Sequence, residues 1–247
     1  TGALMVRWVL RSHRHVGTLR RALPRIRRAL PQLEVMSTNI QPVRQAVLEG
    51  EEEILLGLAE GMSDRLQMDL LLPAQDVPGR PEGRKAEETV LPLLLPTRSF
   101  FQTNTAVAEE LYATARQWAA QWASRRRVAG GRAGADAGRA GAGSERGAVP
   151  LHLWDLFCGV GGFALALASH PALHGAQVRG VELSASAIHG AQASARLMGL
   201  DPRRVWFEAG DARVLDPRSG DVPDLLVVNP PRRGIGEQLA TRIEASG

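Results

Sequence analysis

Thirteen residues, Leu151 to Phe163 (LHLWDLFCGVGGF), constrain this chain more than any others. The apolar run Leu151, Leu153, Trp154, Leu156 and Phe157 leads into a glycine loop. That is the pattern of a parallel strand covered on both faces. Gly159, Gly161 and Gly162 let the backbone turn tightly and approach a ligand, because no Cβ stands in the way. Phe163 to Ser169 (FALALAS) is made of good helix formers, so the spacing predicts a helix that starts where the loop ends. Twenty residues after Gly162 comes Glu182, at the end of a second strand-like run, Val178 to Leu183. Strand, glycine loop, helix, strand and terminal acid is the layout that holds a nucleoside, with the acid accepting the ribose hydroxyls.

Two cofactors fit this layout. A dinucleotide sets its pyrophosphate on the helix N-terminus, usually through a GxGxxG loop. The loop here is Gly159-Val160-Gly161-Gly162, with Asp155 ahead of it. S-adenosylmethionine has no phosphate but carries a charged amino-acid end, which an acid at the start of the loop suits. A strand-to-helix turn without a ligand is the plain structural alternative, and the segments downstream argue against it.

The chain has 247 residues, enough for one large or two small domains. Its net charge is +4, and nearly all its basic residues are arginine, Lys85 being the single lysine. Arginine clusters in a basic chain are compatible with a nucleic-acid partner. The one cysteine, Cys158, permits no internal disulfide and no cysteine-ligated metal, so no metal site is expected. No apolar run is long enough to span a membrane, and the expectation is a cytoplasmic monomer.

The first 98 residues read as a small α+β domain. Leu4 to Arg11 is a strand. Val16, Leu19, Leu23, Ile26 and Leu30 then recur at helical spacing, with Pro24 as a kink or restart. Arg14, Arg20, Arg21, Arg25, Arg27 and Arg28 lie off that apolar stripe, as a solvated face or a phosphate-contacting one. Leu33 to Ile40 is a second strand, expected to continue past Pro42. Glu49 to Glu53 (EGEEE) is a solvated turn, and Ile54 to Leu58 a third strand. Leu70 to Leu72 is short strand, residues 73–88 a surface loop, and Val90 to Leu95 an edge strand containing Pro92.

From residue 99 to 247 the pattern is that of a doubly wound α/β domain. Ser99 to Asn104 (SFFQTN) precedes a helix over 106–122, capped by Thr103 or Asn104, with Val107, Leu111, Ala115, Trp118 and Trp122 on one face. Residues 125–147 are low-complexity Gly, Ala and Arg and read as a flexible loop. After the loop unit come a helix over 185–198 and a strand over 204–208 ending at Gly210-Asp211-Ala212. An acid there suits the exocyclic amine of adenine, or is simply a turn residue. A fourth strand, 224–228, ends in Asn229-Pro230-Pro231-Arg232-Arg233-Gly234. Two prolines make a rigid turn at the sheet edge where ligands of open α/β sheets bind, and the arginines suit phosphates.

Together, SFFQTN, DLFCGVGGF, VEL, GDA and NPPRRGIG resemble the RNA uracil-5-methyltransferase family, in particular its bacterial branch that acts on 23S ribosomal RNA without a TRAM domain. The likeness runs from about Leu4 to Gly236. It implies a Rossmann-like class I methyltransferase sheet. It further implies that Gln102, Phe157, Glu182 and Asn229, with Asp155, Gly159 and Asp211, contact S-adenosylmethionine, and that the partner is RNA. It also implies the chemistry. A cysteine thiolate adds to C6 of a flipped-out uridine, C5 takes the methyl group, and a base removes the C5 proton.

The family's nucleophilic cysteine and glutamate base belong to motifs downstream of Gly247, so no catalytic residue is assigned within this sequence. Cys158 belongs to the cofactor loop. The iron–sulfur cluster found in close relatives depends on a cysteine-rich segment that this sequence lacks. The expectation is a piece of a longer transferase, with an incomplete sheet, an open edge at 224–228, low solubility and no turnover of its own. A catalytically incomplete RNA- or cofactor-binding remnant and a dinucleotide-dependent oxidoreductase are the alternatives.

Overall fold

Strand β1 (Leu4–Leu10) enters a 3-10 turn at His13–His15 and helix α1 (Val16–Ala29), and the chain returns in parallel as β2 (Leu33–Ile40). The computed structural model describes residues 2–43, 49–74, 88–102, 104–136, 150–214, 222–231 and 234–245, with only the helical backbone for 127–136. Two compact units divide the chain: residues 1–68 with 94–99, and residues 69–93 with 100–247. The chain passes between the units after residues 68, 93 and 99, where the sequence pattern predicts a single boundary after 98.

In the first unit β3 (Glu52–Leu56) pairs antiparallel with β2, giving the order β1-β2-β3. Val16 and Leu23 of α1 pack on Leu33, Met36, Ile40 and Leu56, with Leu19 and Ile26 completing the apolar stripe. Pro24 lies inside α1, which runs through it without restarting. Strand β2 ends at Ile40, so the continuation expected over 41–48 does not occur at 41–43, where Pro42 interrupts the ladder, and 44–48 lie outside the described residues.

The acidic turn does more than face solvent. Glu49 pairs with Arg7, while Glu53 accepts the Ser37 hydroxyl at 2.5 Å and the Asn39 amide at 2.9 Å. Asn39, fully buried, also donates to the carbonyls of Gly50 and Glu52 and accepts the Gly50 N–H. One carboxamide thus satisfies a turn that would otherwise leave buried backbone groups unpaired.

Strands β4 (Arg65–Leu72) and β5 (Thr89–Pro96) pair as a two-stranded sheet, so Pro92 does sit on an edge strand. The expected loop at 73–88 falls largely outside the described residues.

In the second unit four parallel strands run in the order β8-β7-β6-β9, where β6 is His152–Leu156, β7 Gln177–Glu182, β8 Val205–Ala209 and β9 Leu225–Val228. Helix α3 (Gly162–Ala168) crosses from β6 to β7 and α4 (Ala185–Leu197) from β7 to β8. The strand order reverses between β6 and β9, and crevices for ligands form at the carboxyl ends of strands flanking such a reversal. Trp154 and Leu156 face a core closed by Leu239 and Ile243 of α5 (Glu237–Ala245). The guanidinium of Arg204 donates to the carbonyls of Ala168, Leu173 and His174, closing the end of α3.

Two expectations for the long helix fail. Helix α2 spans Thr105–Asp136, so residues 125–136 of the expected loop are helical, and 137–147 lie outside the described residues. Alanine and arginine cost little in a helix, and extending a nucleated helix is easier than starting one. Arg126 also anchors this part by pairing with Asp224 at 2.7 Å and covering the Trp122 ring. The packed face is also not the one with the largest side chains. Val107, Leu111 and Trp118 are exposed, whereas Ala108, Ala119, Ala120, Ala123 and Arg116 are buried. Small residues let α2 lie close to the rest of its unit. Arg116 is held there by the Thr89 hydroxyl at 2.9 Å and the Pro73 carbonyl at 3.0 Å.

Candidate functional site

Strand β6 delivers Asp155 and Leu156 to the switch point, and the chain then turns sharply. Phe157 has φ 61, rare for a residue with a side chain, and Gly159 and Gly161 follow at φ 55 and 84. A Cβ on Gly161 would meet the Phe207 ring at 2.8 Å and Ala191 at 3.0 Å. The tight turn of the loop is therefore locked from beneath by β8 and α4. A Cβ on Gly159 would meet nothing within 4 Å, so that side of the loop is open to a ligand.

Glu182 at the end of β7 ties the loop down. Its carboxylate accepts the Gly159 N–H at 3.3 Å and the Ser184 N–H at 3.0 Å. A carboxylate has about four acceptor sites, so capacity remains for two hydroxyls of a ribose. Ser184 in turn caps α4, accepting the Ala187 N–H at 3.3 Å.

Asp155 is fully buried. One carboxylate oxygen accepts the Ala164 N–H at 3.0 Å in the first turn of α3, and the other has no hydrogen-bond partner among the described residues. Burial pushes this carboxyl up to about 7, against the Ala164 hydrogen bond, and the nearby Glu182 charge adds to the rise. An orphaned buried acceptor beside an open glycine loop fits a ligand that brings a cationic donor. The ammonium end of S-adenosylmethionine has that chemistry, so the residues present fit the group.

The other expected residues are placed as follows. Phe157 is partly buried against the cluster of Trp154, Leu156, Val181, Ala212 and Leu239. Asn229 follows β9, its N–H donating to the Leu156 carbonyl at 3.4 Å, on the same sheet edge as the loop. Asp211 follows β8, next to Gly210, whose N–H donates to the Glu182 carbonyl at 2.9 Å. The Asp211 carboxylate is engaged by Arg213, through its backbone N–H at 3.0 Å and its side chain at 2.5 Å. Gln102 is half-buried ahead of α2, whose cap is Asn104, accepting the Val107 N–H at 3.2 Å. No hydrogen bond joins Gln102 to the loop among the described residues. Phe100, of the same segment, is 80% exposed. Arg232 and Arg233 lie outside the described residues.

Cys158 is buried, and burial together with the charges of Asp155 and Glu182 pushes its thiol far up. It is held as the un-ionised thiol.

Sequence reasoning missed Tyr112. Its ring lies 4.8 Å from the Phe163 ring in an edge-to-face arrangement and occupies the space a Cβ on Gly162 would need. Burial and the Asp155 charge raise its phenol to about 12. The signal was there: Tyr112 is the only tyrosine in the chain, and it sits on the small-residue face of α2.

Comparison with known proteins decides the family. No family model matches the chain. Curated relatives do. The 23S rRNA (uracil(747)-C(5))-methyltransferase RlmC of Shigella sonnei is 40% identical over 239 residues, which is 96% of this chain and 49% of that protein. The protein of the same name from Escherichia coli K12 matches equally, at 40% over 239 residues. The chain belongs to the RNA uracil-5-methyltransferase family. It spans about half the length of the curated relatives it matches. Among solved structures, the tRNA (uracil-54, C5)-methyltransferase of Pyrococcus abyssi, in complex with S-adenosyl-L-homocysteine, aligns with a TM-score of 0.50 at 19% identity. That alignment covers 86% of this chain and 38% of the other, and supports the class I methyltransferase fold expected for family members.

Proposed function

We propose that this chain carries the methyl-donor site of an enzyme that methylates C5 of a uridine in 23S ribosomal RNA. The observation that carries this reading is the paired arrangement of Glu182 on the Gly159 N–H and Asp155 with one buried, unpartnered oxygen. The kinship with RlmC proteins supplies the reaction and the substrate class.

S-adenosylmethionine, when bound, supplies an electrophilic methyl group. The residues of this chain orient it. Glu182 accepts the ribose hydroxyls while holding the loop amide of Gly159, so the sugar and the loop are fixed by one group. Asp155 takes the ammonium end, and the incoming positive charge favours its ionised form. Asp211 and Gln102 stand as the further contacts to the donor. Asn229, at the carboxyl end of β9, presents a carboxamide to the same sheet edge. Cys158 does not serve as the nucleophile, because a buried thiol held un-ionised is a poor one.

Isothermal titration of the chain with S-adenosylhomocysteine, and separately with NADH, tests this reading. Binding of the former and not the latter is expected. Binding of NADH alone would overturn it in favour of a dinucleotide enzyme.

A further inference from the structure

The positive charge of this protein is concentrated on one element. Residues 11–30 hold seven arginines and no acidic residue. The whole chain carries +4, so the remaining residues sum to −3. All seven, Arg11, Arg14, Arg20, Arg21, Arg25, Arg27 and Arg28, are exposed. On α1, Arg21, Arg25 and Arg28 lie opposite the stripe of Val16, Leu19, Leu23 and Ile26 that packs into the core, and Arg20 and Arg27 flank it.

None of the seven forms an ion pair among the described residues. Arg27 donates to the Glu60 carbonyl and Arg21 to the Thr18 hydroxyl, both uncharged acceptors. Arg21 with Arg25 and Arg25 with Arg28 are like charges at helical neighbour spacing, which is self-repelling. The first turn of α1 has no acid to meet the helix dipole. A helix with this arrangement is disfavoured alone and relieved by a polyanion.

We propose that the arginine face of α1 is a docking surface for the phosphate backbone of RNA, which rests on the reading above that the substrate is RNA. Two other anionic partners fit less well. Helices that lie on membranes sink an apolar face into the lipid, and the apolar face of α1 is already buried in the core of its unit. A protein partner is held by central aromatic or aliphatic anchors, and the exposed positions between these arginines, Ser12, His13, His15, Gly17, Thr18 and Pro24, offer no large apolar side chain. What remains is a broad arc of guanidinium groups along a helix about 21 Å long, suited to several phosphates at once and indifferent to base identity.

The test is a fluorescence anisotropy titration of the full chain with a labelled RNA hairpin bearing a uridine in its loop, between roughly 50 and 200 mM salt. The variant replaces Arg20, Arg25 and Arg28, which have no hydrogen-bond partner among the described residues, by Gln, and a companion replaces the same three by Lys. Each phosphate contact contributes roughly 0.7–0.9 to the salt slope, so the Gln variant is expected to lower it by about two. Its affinity should fall tenfold or more while circular dichroism stays unchanged and thermal unfolding holds or rises as the repulsion is relieved, and the Lys variant should recover most of the loss. RNA binding by the Gln variant equal to the parent would overturn the proposal, as would absence of RNA binding by the parent. So would binding to phosphatidylserine vesicles with the same dependence on these arginines. Titration of the same proteins with S-adenosylhomocysteine separates the two readings. Donor binding with an RNA affinity indifferent to α1 sinks this proposal alone, and loss of donor binding sinks the functional reading.

Discussion

The Glu182 carboxylate accepts the backbone N–H of Gly159 at 3.3 Å, across 23 positions of sequence. A side chain read as a ligand contact is therefore also a strut of the loop that would cradle the ligand. Any ligand held by Glu182 would thereby be coupled to the geometry of the loop.

Glu182→Gln keeps the shape and removes the charge. Hydrogen bonds to a charged acceptor contribute roughly 1.5–3 kcal/mol. The expected outcome is a 10- to 100-fold weaker affinity for S-adenosylhomocysteine by calorimetry, about 1.4–2.8 kcal/mol. An unchanged affinity would remove Glu182 from the site.

The pH dependence of stability holds two opposed contributions. The Asp155 carboxyl sits at about 7 in the fold, above its ordinary 3.8, so the folded state keeps its proton longer and stability falls as pH rises from about 4 to 7. The His170 imidazole, almost fully buried, accepts the Ala172 N–H at 3.0 Å, and burial with the neighbouring Arg116 charge depresses it to about 4 from 6.5. Its contribution is present above 6.5 and lost as pH falls toward 4. Urea unfolding of Asp155→Asn should show stability climbing with pH over this window more steeply than in the parent, and His170→Gln the reverse.

Donor binding should release a proton. If an ammonium meets Asp155, the carboxyl must ionise, so calorimetry near pH 6 in buffers of different ionisation enthalpy should show heats that vary with the buffer. Asp155→Asn should abolish that variation. Buffer-independent heats in the parent protein would place the ammonium elsewhere.

Gly162→Ala would drive a Cβ to 2.4 Å from the Tyr112 ring. Overpacking of this kind costs roughly 1–3 kcal/mol. In chemical denaturation the double variant with Tyr112→Ala should lose less than the two single losses added together. Additive losses would mean that the two positions do not touch.

Asn39→Ala should be among the most damaging single changes in the first unit. It strips partners from the Gly50 N–H, two carbonyls and Glu53 together, each unpaired buried group costing roughly 1–3 kcal/mol. A midpoint within error of the parent in urea would show that water replaces these bonds.

Most of the second unit was legible because its signals are local. The glycine loop, the acid twenty residues on and the apolar strands each carry their own pattern, and a doubly wound α/β sheet followed from them, though not its strand order. The packed face of α2 was not legible. The hydrophobic pattern there points to Val107, Leu111 and Trp118, but close approach to α3 selects alanine and glycine, which carry little hydrophobic signal. The roles of Glu49 and Glu53 were hidden for another reason. Their partners Arg7, Ser37 and Asn39 are remote in sequence, and nothing local marks a carboxylate as engaged. Helix α2 overran its expected end because composition cannot separate a disordered Ala- and Arg-rich tract from a continuing helix.

Phe207 lies against both Gly161 and Gly180, where a Cβ would come within 2.8 and 2.4 Å of its ring. At Gly161, φ 84 strains any side chain whatever the ring does. At Gly180 a side chain is admissible only after the ring at 207 has shrunk, and a shrunken ring leaves a hollow under the loop until that glycine is replaced. Any lineage crossing between the two arrangements would pass through a weakened intermediate, so Gly180 and Phe207 should change rarely and, when they do, together.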